Sequence, residues 1–361
     1  MRKCTLHVVQ HLAPGGIESL ALEFKRLQNE DEETHIVSLE GAREEMLAAW
    51  PRLVEHRAHL HFMNKQPGLD FGLILKLVDL LSVVKPTAVQ THHIGPLIYG
   101  GLVARLKGVA RLIHTEHDAW HLTSPRRRTV QSIALALLKP IIVADANWVA
   151  KSLLEKIPFA NSHVIHNGVD TRKFVVGEKY LARNHFNLPA GIRLVGCAAR
   201  LVEEKAIDVL VQAMTGLPED VHLLIAGGGP CRPALQAQAD AAGLSARIHF
   251  LGHVENMTQF YQSLDVFCLP SRHEGMPLSP LEAQACGVPV VVSRVGGTAE
   301  VVCPITGRLV GAGDSVALAD NLLQVMGQER LVSPREFVVK KREIRNMLQD
   351  YRNLQFAAEK G

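Results

Sequence analysis

Two α/β domains, each a doubly wound parallel sheet between layers of helices, are the fold this sequence predicts, and three observations predict it. Short β-branched runs alternate with amphipathic or alanine-rich stretches along the chain, the pattern of parallel βαβ units. The length of 361 residues suits two domains, each large enough to bury its own core. Glycine-bearing or polar turns follow several of the strand-like runs, at the carboxyl edge where ligands of doubly wound sheets gather.

The first domain begins with a strand over Thr5 to Gln10, the loop HLAPGGIE and an amphipathic helix from Ile17 to Leu27. Gly15 and Gly16 leave room in that loop for a nest of backbone amides. The alternation continues through HIVSL, a helix from Phe71 to Val84, the strand AVQTH, a helix from Pro96 to Lys107 and the strand RLIHT. Two histidine clusters fall at strand ends: Thr91, His92 and His93, then His114, Glu116, His117, Asp118 and His121. The second cluster is a poor metal set, because closed sites usually draw their ligands from more than one element. Arg126, Arg127 and Arg128 open the next helix beside an apolar face, a composition that suits contact with anionic lipid.

The segment HVIHNGVDTRKF reads as a strand entering an Asn-Gly turn, a natural exit from one domain. A first domain over residues 1–170 and a second over 171–339 follow from it. In the second, IRLVGCAARLVEEK ends a strand at Arg200, with Lys205 just ahead of a helix. Two cations at a strand mouth can bracket a pyrophosphate, arginine as a fork and lysine as a point charge. The run DVFCLP, the turn HEGMPL, the helical SPLEAQAC and the strand VPVVV form one βαβ unit. Its turn brings backbone amides, a helix start and two carboxylates, Glu274 and Glu282, to one sheet edge. A phosphate between two hydroxylated groups fits that arrangement. The last helix is predicted from Pro334 to Gln355.

Bulk properties narrow the classes. A net charge of +3 gives no case for nucleic acid. The six cysteines are dispersed without a Cys-x-x-Cys pair, which reads as reduced core thiols and neither a disulfide frame nor a zinc site. No apolar run reaches membrane-spanning length and the N-terminus shows no signal-peptide core, so a soluble cytoplasmic protein is expected, able to reach the inner face of the membrane through its arginine helix.

The stretch from His273 to Val292, with seven residues between Glu274 and Glu282, resembles the signature of the family 4 retaining glycosyltransferases, which have the GT-B fold. Further segments are similar to that family: Gly15 and Gly16, the T-x-H-D run at Thr115 to Asp118, Asn167 to Asp170, Arg200 with Lys205, Gly252 to Val254, and Gly296 with Gly297. The departures are His166 where proline is common, Ala199 and Ala206 in place of glycines, and Gly228 where aspartate is frequent.

The resemblance implies two Rossmann-like domains facing across a cleft, with the C-terminal segment 340–361 packing back on the first. It implies a UDP- or GDP-linked sugar donor, a glycan or lipid-linked acceptor in cell-surface polysaccharide biosynthesis, and no cofactor. His117, Glu274, Arg200 and Lys205 would be catalytic. Gly15, Gly16, Asp118, Gly252, Val254, Gly275, Met276, Pro277, Leu278, Ser279 and Glu282 would bind the donor. Within this division Glu274 orients sugar hydroxyls, Glu282 holds ribose and His117 is a neutral partner for a sugar hydroxyl. The chain contains no Asp-x-Asp, the metal-holding motif of the other main transferase architecture, so no metal is expected. Two other readings stand beside it: a nucleotide-sugar epimerase, and a nucleotide-sugar-binding protein with decayed catalysis. A nicotinamide dehydrogenase is disfavoured because no full G-x-G-x-x-G follows the first strand.

Overall fold

The computed structural model describes residues 3–189, 191–329 and 331–356. Residues 357–361, the end of the C-terminal segment expected to pack back on the first domain, lie outside the described residues. The chain forms two units, residues 1–166 with 347–361, and residues 167–346. The division falls a few residues earlier than 170 at the first connector and a few later than 340 at the second.

The first unit holds β1 (Lys3–Val9), β2 (Glu32–Ser38), β3 (Leu60–Phe62), β4 (Ala88–His92), β5 (Arg111–Glu116), β6 (Ile141–Ala144) and β7 (His163–Val164). They lie in the order β3-β2-β1-β4-β5-β6-β7 with every neighbouring pair parallel. Strand alternation sorts β1 between two cores. Leu6 and Val8 pack with Leu73, Leu77 and Leu81 of the helix Phe71–Val84. Val9 packs with Ala21 and Leu22 of the helix Gly16–Arg26 on the other side. Helices on both faces explain why the strands read as near-continuous apolar runs.

The second unit holds β8 (Arg193–Ala198), β9 (Val221–Ala226), β10 (Ile248–Gly252), β11 (Val266–Leu269), β12 (Val290–Ser293) and β13 (Arg308–Val310). Their order is β10-β9-β8-β11-β12-β13, again all parallel. Both sheets therefore reverse their winding at one place, between β1 and β4 and between β8 and β11. Crevices at such switch points, beyond the carboxyl ends of the strands, are where doubly wound sheets bind ligands.

The predicted helix from Pro334 to Gln355 is in fact two, Pro334–Lys341 and Ile344–Gln355. The break has a backbone cause. Val169 donates to the carbonyl of Arg342 (2.9 Å) and accepts from the amide of Ile344 (3.1 Å), forming a parallel bridge between Val169 and Glu343. A continuous helix would keep those groups for itself. Arg345 closes the junction with bonds to Asp170 (3.1 Å) and Glu343 (2.6 Å). Beyond it the chain returns to the first unit, as predicted, where Arg352 pairs with Glu32 at 2.9 Å and Gln355 donates to Gln90 at 2.9 Å.

Gly168 has no side chain because the second connector lies against it: a Cβ there would sit 2.8 Å from Ile344 Cα. Backbone against backbone leaves nothing flexible to yield. Gly168→Ala is expected to destabilise the protein by about 1–3 kcal/mol, measured by denaturant unfolding, whereas a wild-type midpoint would show that the junction tolerates separation.

Candidate active site

In the second unit the loops after β8 and β11 meet at the switch point. Lys205, on the short turn Glu203–Lys205, donates to Glu274 Oε1 at 2.6 Å. Ser271 donates to the same oxygen at 2.6 Å. Glu274 is only 8% exposed. A buried carboxylate without partners costs several kcal/mol, so the lysine and the hydroxyl are what allow it to lie there. Arg200 stands exposed on the first of these loops, with no ionic partner among the described residues. The spacing from Arg200 to Lys205 thus leaves one cation paired and one open.

The turn carrying Glu274 is fixed from behind. Asn167 donates to the carbonyl of Met276 at 3.0 Å, tying the start of the second unit to the glutamate loop. Gly297 donates to the carbonyl of Gly275 at 3.0 Å. Gly296, at φ +54°, lies so close that a Cβ would approach the Glu274 carbonyl oxygen to 1.8 Å. The second Gly-Gly segment is therefore a support for the turn. Gly275 and Met276 are buried, while Pro277, Leu278 and Ser279 are half-buried. The helix Ser279–Ala285 starts at Leu278 without a side-chain cap.

Glu282 lies on that helix and its Oε2 accepts from the Tyr261 hydroxyl at 2.6 Å. Burial pushes the Tyr261 phenol well above its ordinary range, so it remains a donor. Nothing in the sequence signals this tyrosine. Gly252 gives its carbonyl to the amide of Gly227 at 2.7 Å, and Val254 is half-buried just beyond it. Ala206 takes a left-handed conformation at φ 50° with its methyl buried. That geometry explains why glycine is usual at this position.

In the first unit, Gly15 precedes the helix Gly16–Arg26 and Gly16 is exposed. Three histidines and an aspartate link up across the sheet, from β1 to the end of β6. His117 Nδ1 lies 3.3 Å from Asp145 Oδ2, and its Nε2 lies 2.9 Å from His92 Nδ1. His92 Nε2 in turn lies 3.2 Å from His7 Nδ1. A carboxylate accepts, so Asp145 places the His117 proton on Nδ1. His117 Nε2 then accepts from His92, and His92 Nε2 from His7. One carboxylate sets three tautomers. Burial lowers His117 to about 4 and His7 to about 3, and lowers His92 well below the usual range, so all three are neutral.

His117 therefore spends both ring nitrogens inside the unit. Its neighbour His93, whose ring lies 6.0 Å away, is the conformational outlier, at φ 72° and ψ 166°. Only glycine visits that region readily, and such strain concentrates at functional positions. The His-His pair in the sequence marks the place without separating the two roles.

Asp118 accepts from His121 Nδ1 at 2.9 Å, and His121 Nε2 lies 2.9 Å from Gln131 Oε1. Burial pulls the His121 imidazole down, but the Asp118 bond and the charge of Glu116 outweigh it and raise the ring to about 9. Asp118 is pushed up by burial and held below its usual range by His121. This loop thus carries an imidazolium between two carboxylates, beside a neutral histidine chain.

Two doubly wound parallel sheets, each with its own switch point, are the layout of the GT-B architecture. Residues 14–173 match the family described as Glycosyltransferase Family 4, and residues 192–328 match the one described as Glycosyl transferases group 1. The chain belongs to the family 4-like glycosyltransferases of GT-B fold. It is 32% identical over 249 residues to the D-inositol 3-phosphate glycosyltransferase of Mycolicibacterium smegmatis, covering 63% of this chain and 57% of that one. It is 34% identical over 209 residues to the lipopolysaccharide core biosynthesis mannosyltransferase LpsB of Rhizobium meliloti, covering 55% and 58%. The chain thus spans less than three fifths of the length of these relatives.

Among solved structures, HepE of Anabaena, crystallised with UDP and glucose, superposes with a TM-score of 0.81 at 19% identity, over 98% of this chain and 99% of that one. Sucrose-phosphate synthase of Thermosynechococcus elongatus gives 0.80 at 20% identity, over 99% and 100%. At these identities the likeness concerns the fold.

The titrations have opposite signs. His121 sits above its ordinary 6.5, so its stabilisation is complete below that value and is lost as pH rises through about 9. His117 sits below 6.5, so the unfolded chain takes the proton first and stability falls as pH drops from 6.5 toward 4. Ring 15N spectra are expected to show His7, His92 and His117 as Nδ1–H tautomers at neutral pH. His121→Asn should flatten the alkaline limb of the stability profile, and an unchanged limb would remove His121 as its source.

Proposed function

We propose that this protein transfers a sugar from a nucleotide-sugar donor, UDP- or GDP-linked, to a glycan or lipid-linked acceptor in cell-surface polysaccharide biosynthesis. The observation that carries the reading is the Lys205 to Glu274 pair at the switch point, on the loop that also leads to Glu282. The sugar-transferase names of the relatives and the UDP and glucose of HepE support it.

Glu274, already aligned by Lys205 and Ser271, orients sugar hydroxyls. Arg200 and Lys205 take the diphosphate, together with the amides from Gly275 to Ser279, a preorganised electrostatic site that does not call on a metal. Glu282, aligned by Tyr261, accepts from ribose, while Gly252 and Val254 flank the base. Gly15 and Gly16 with Asp118 complete the donor set. His117 is kept neutral in one tautomer, with the His93 imidazole beside it. The reaction retains configuration: the acceptor oxygen bonds to the anomeric carbon as the carbon–phosphate-oxygen bond breaks, and its proton passes to the departing phosphate.

The arginine helix favours work at a membrane surface. Arg126, Arg127 and Arg128 are exposed, and Val130, Ile133 and Leu137 are exposed at helical spacing on the same helix. No helix among the described residues is long and apolar enough to cross a membrane. Replacing the three arginines with glutamine should reduce sedimentation with anionic vesicles, and undiminished sedimentation would dismiss the membrane role.

A thermal-shift panel of UDP, GDP and ADP sugars identifies the donor through its stabilisation of the native state. With that donor, Glu274→Ala should lower kcat by about 100-fold or more. Glu282→Ala should weaken nucleotide binding by roughly 10-fold with a smaller effect on kcat. Wild-type kinetics in both would refute the site, and loss of turnover in chelator restored by magnesium would refute metal independence. Interconversion of the donor without acceptor would favour an epimerase, and tight binding without turnover a decayed enzyme.

A further inference from the structure

A second cluster of chemistry-bearing side chains lies away from the sheet edge just described. Cys4 is the second residue of β1, Glu33 and His35 are on β2, and His59 and His61 lie just before and within β3. Register places Cys4 opposite Glu33, Leu6 opposite His35 and Val37 opposite His61. Side chains alternate along a strand, so Cys4, Glu33, His35 and His61 share one face. The cluster sits toward the amino-terminal half of the strands, whereas the glycine loop and the His117 chain lie at their carboxyl ends.

The ligand atoms of three side chains converge on one place. One ligand atom each from Cys4, Glu33 and His35 all lie within 4.8 Å of one another. His35 Nε2 is 3.4 Å and His59 Nε2 is 3.7 Å from Glu33 Oε1. A tetrahedral zinc ion with bonds of about 2.0–2.3 Å separates its ligands by roughly 3.3–3.8 Å. The second nitrogen of His35 is 3.1 Å from His61 Nε2. An outer partner that fixes the ring and its tautomer is the usual companion of a ligating histidine.

We infer that Cys4, Glu33 and His35 bind a zinc-class divalent cation on the face of the first sheet, with the fourth position left to water. Thiolate, carboxylate and imidazole together suit zinc better than magnesium or calcium, which take oxygen ligands. Two anionic ligands offset the dication, and binding releases the Cys4 thiol proton to solvent. The ion would pin β1 to β2, a structural role separate from sugar transfer. Cysteine spacing alone missed it, because the ligands come from two strands far apart in sequence.

The test uses the full chain, stripped with chelator and titrated with zinc alone, then with cobalt as a spectroscopic probe. One equivalent of zinc should bind and raise the unfolding temperature, and cobalt should show a thiolate charge-transfer band. Cys4→Ser should abolish that band and weaken zinc at least tenfold, while Cys231→Ser keeps both. His61→Ala should weaken zinc by about 10–100-fold. Nucleotide binding by Cys4→Ser at the wild-type level would show that the variant is folded. A cobalt complex of the wild type without the thiolate band, or a folded Cys4→Ser with undiminished zinc affinity, would overturn the site.

Discussion

The burial of the Glu274 carboxylate is the constraint on which the second unit's site depends. A charge with so little access to water must be met by partners held at bonding distance. Lys205 comes from the loop after β8 and Ser271 from the loop after β11, so the two strands flanking the switch point must end in register for the pair to form. The turn is then held by backbone contacts: Asn167 on Met276, Gly297 on Gly275, and the bare Cα of Gly296 against Glu274. Three segments far apart in sequence thus converge on one carboxylate. Rigid support of this kind is what an electrostatic site requires, since its groups must be aligned before the reaction begins.

The first unit solves a different problem with histidines. An imidazole is useful as a hydrogen-bond partner only when its protonation and tautomer are settled. Burial removes the charge from His7, His92 and His117, and Asp145 at one end of the chain orients all three protons in the same direction. A few residues away the same physics gives the opposite result. His121 is less buried and has Asp118 at 2.9 Å, so attraction outweighs desolvation and the ring stays charged. Neighbouring rings of one residue type are thereby given separate chemistry.

The pairing of Val169 with Glu343 inside the second unit shows how backbone pairing overrides helix propensity. The segment from Pro334 to Gln355 has the composition of one helix, and the tertiary structure interrupts it so that Val169 and Glu343 can pair. The Asn-Gly-Val-Asp segment consequently has two structural uses, its asparagine on the glutamate turn and its glycine and aspartate on the second connector.

Much of the fold was legible because the strands of doubly wound sheets are buried on both faces and announce themselves as apolar runs. The helix Phe71–Val84, the strand Ala88–His92 and the helix starting at Ser279 fall where the pattern places them. The short strands β3 and β6 did not stand out, since three or four residues carry too little periodicity. Local motifs likewise marked Glu274, Glu282, Arg200 and Lys205, each pair set by spacing within one short stretch of chain. The sequence by itself determined the class of fold and the loops that carry charge. Only the tertiary structure decided which charges meet: Lys205 with Glu274, Tyr261 with Glu282, Asp145 with His117, and Cys4 with Glu33 and His35. The reason is that side-chain partnership across a parallel sheet depends on register and crossover, which bring together residues that no periodicity within one segment connects.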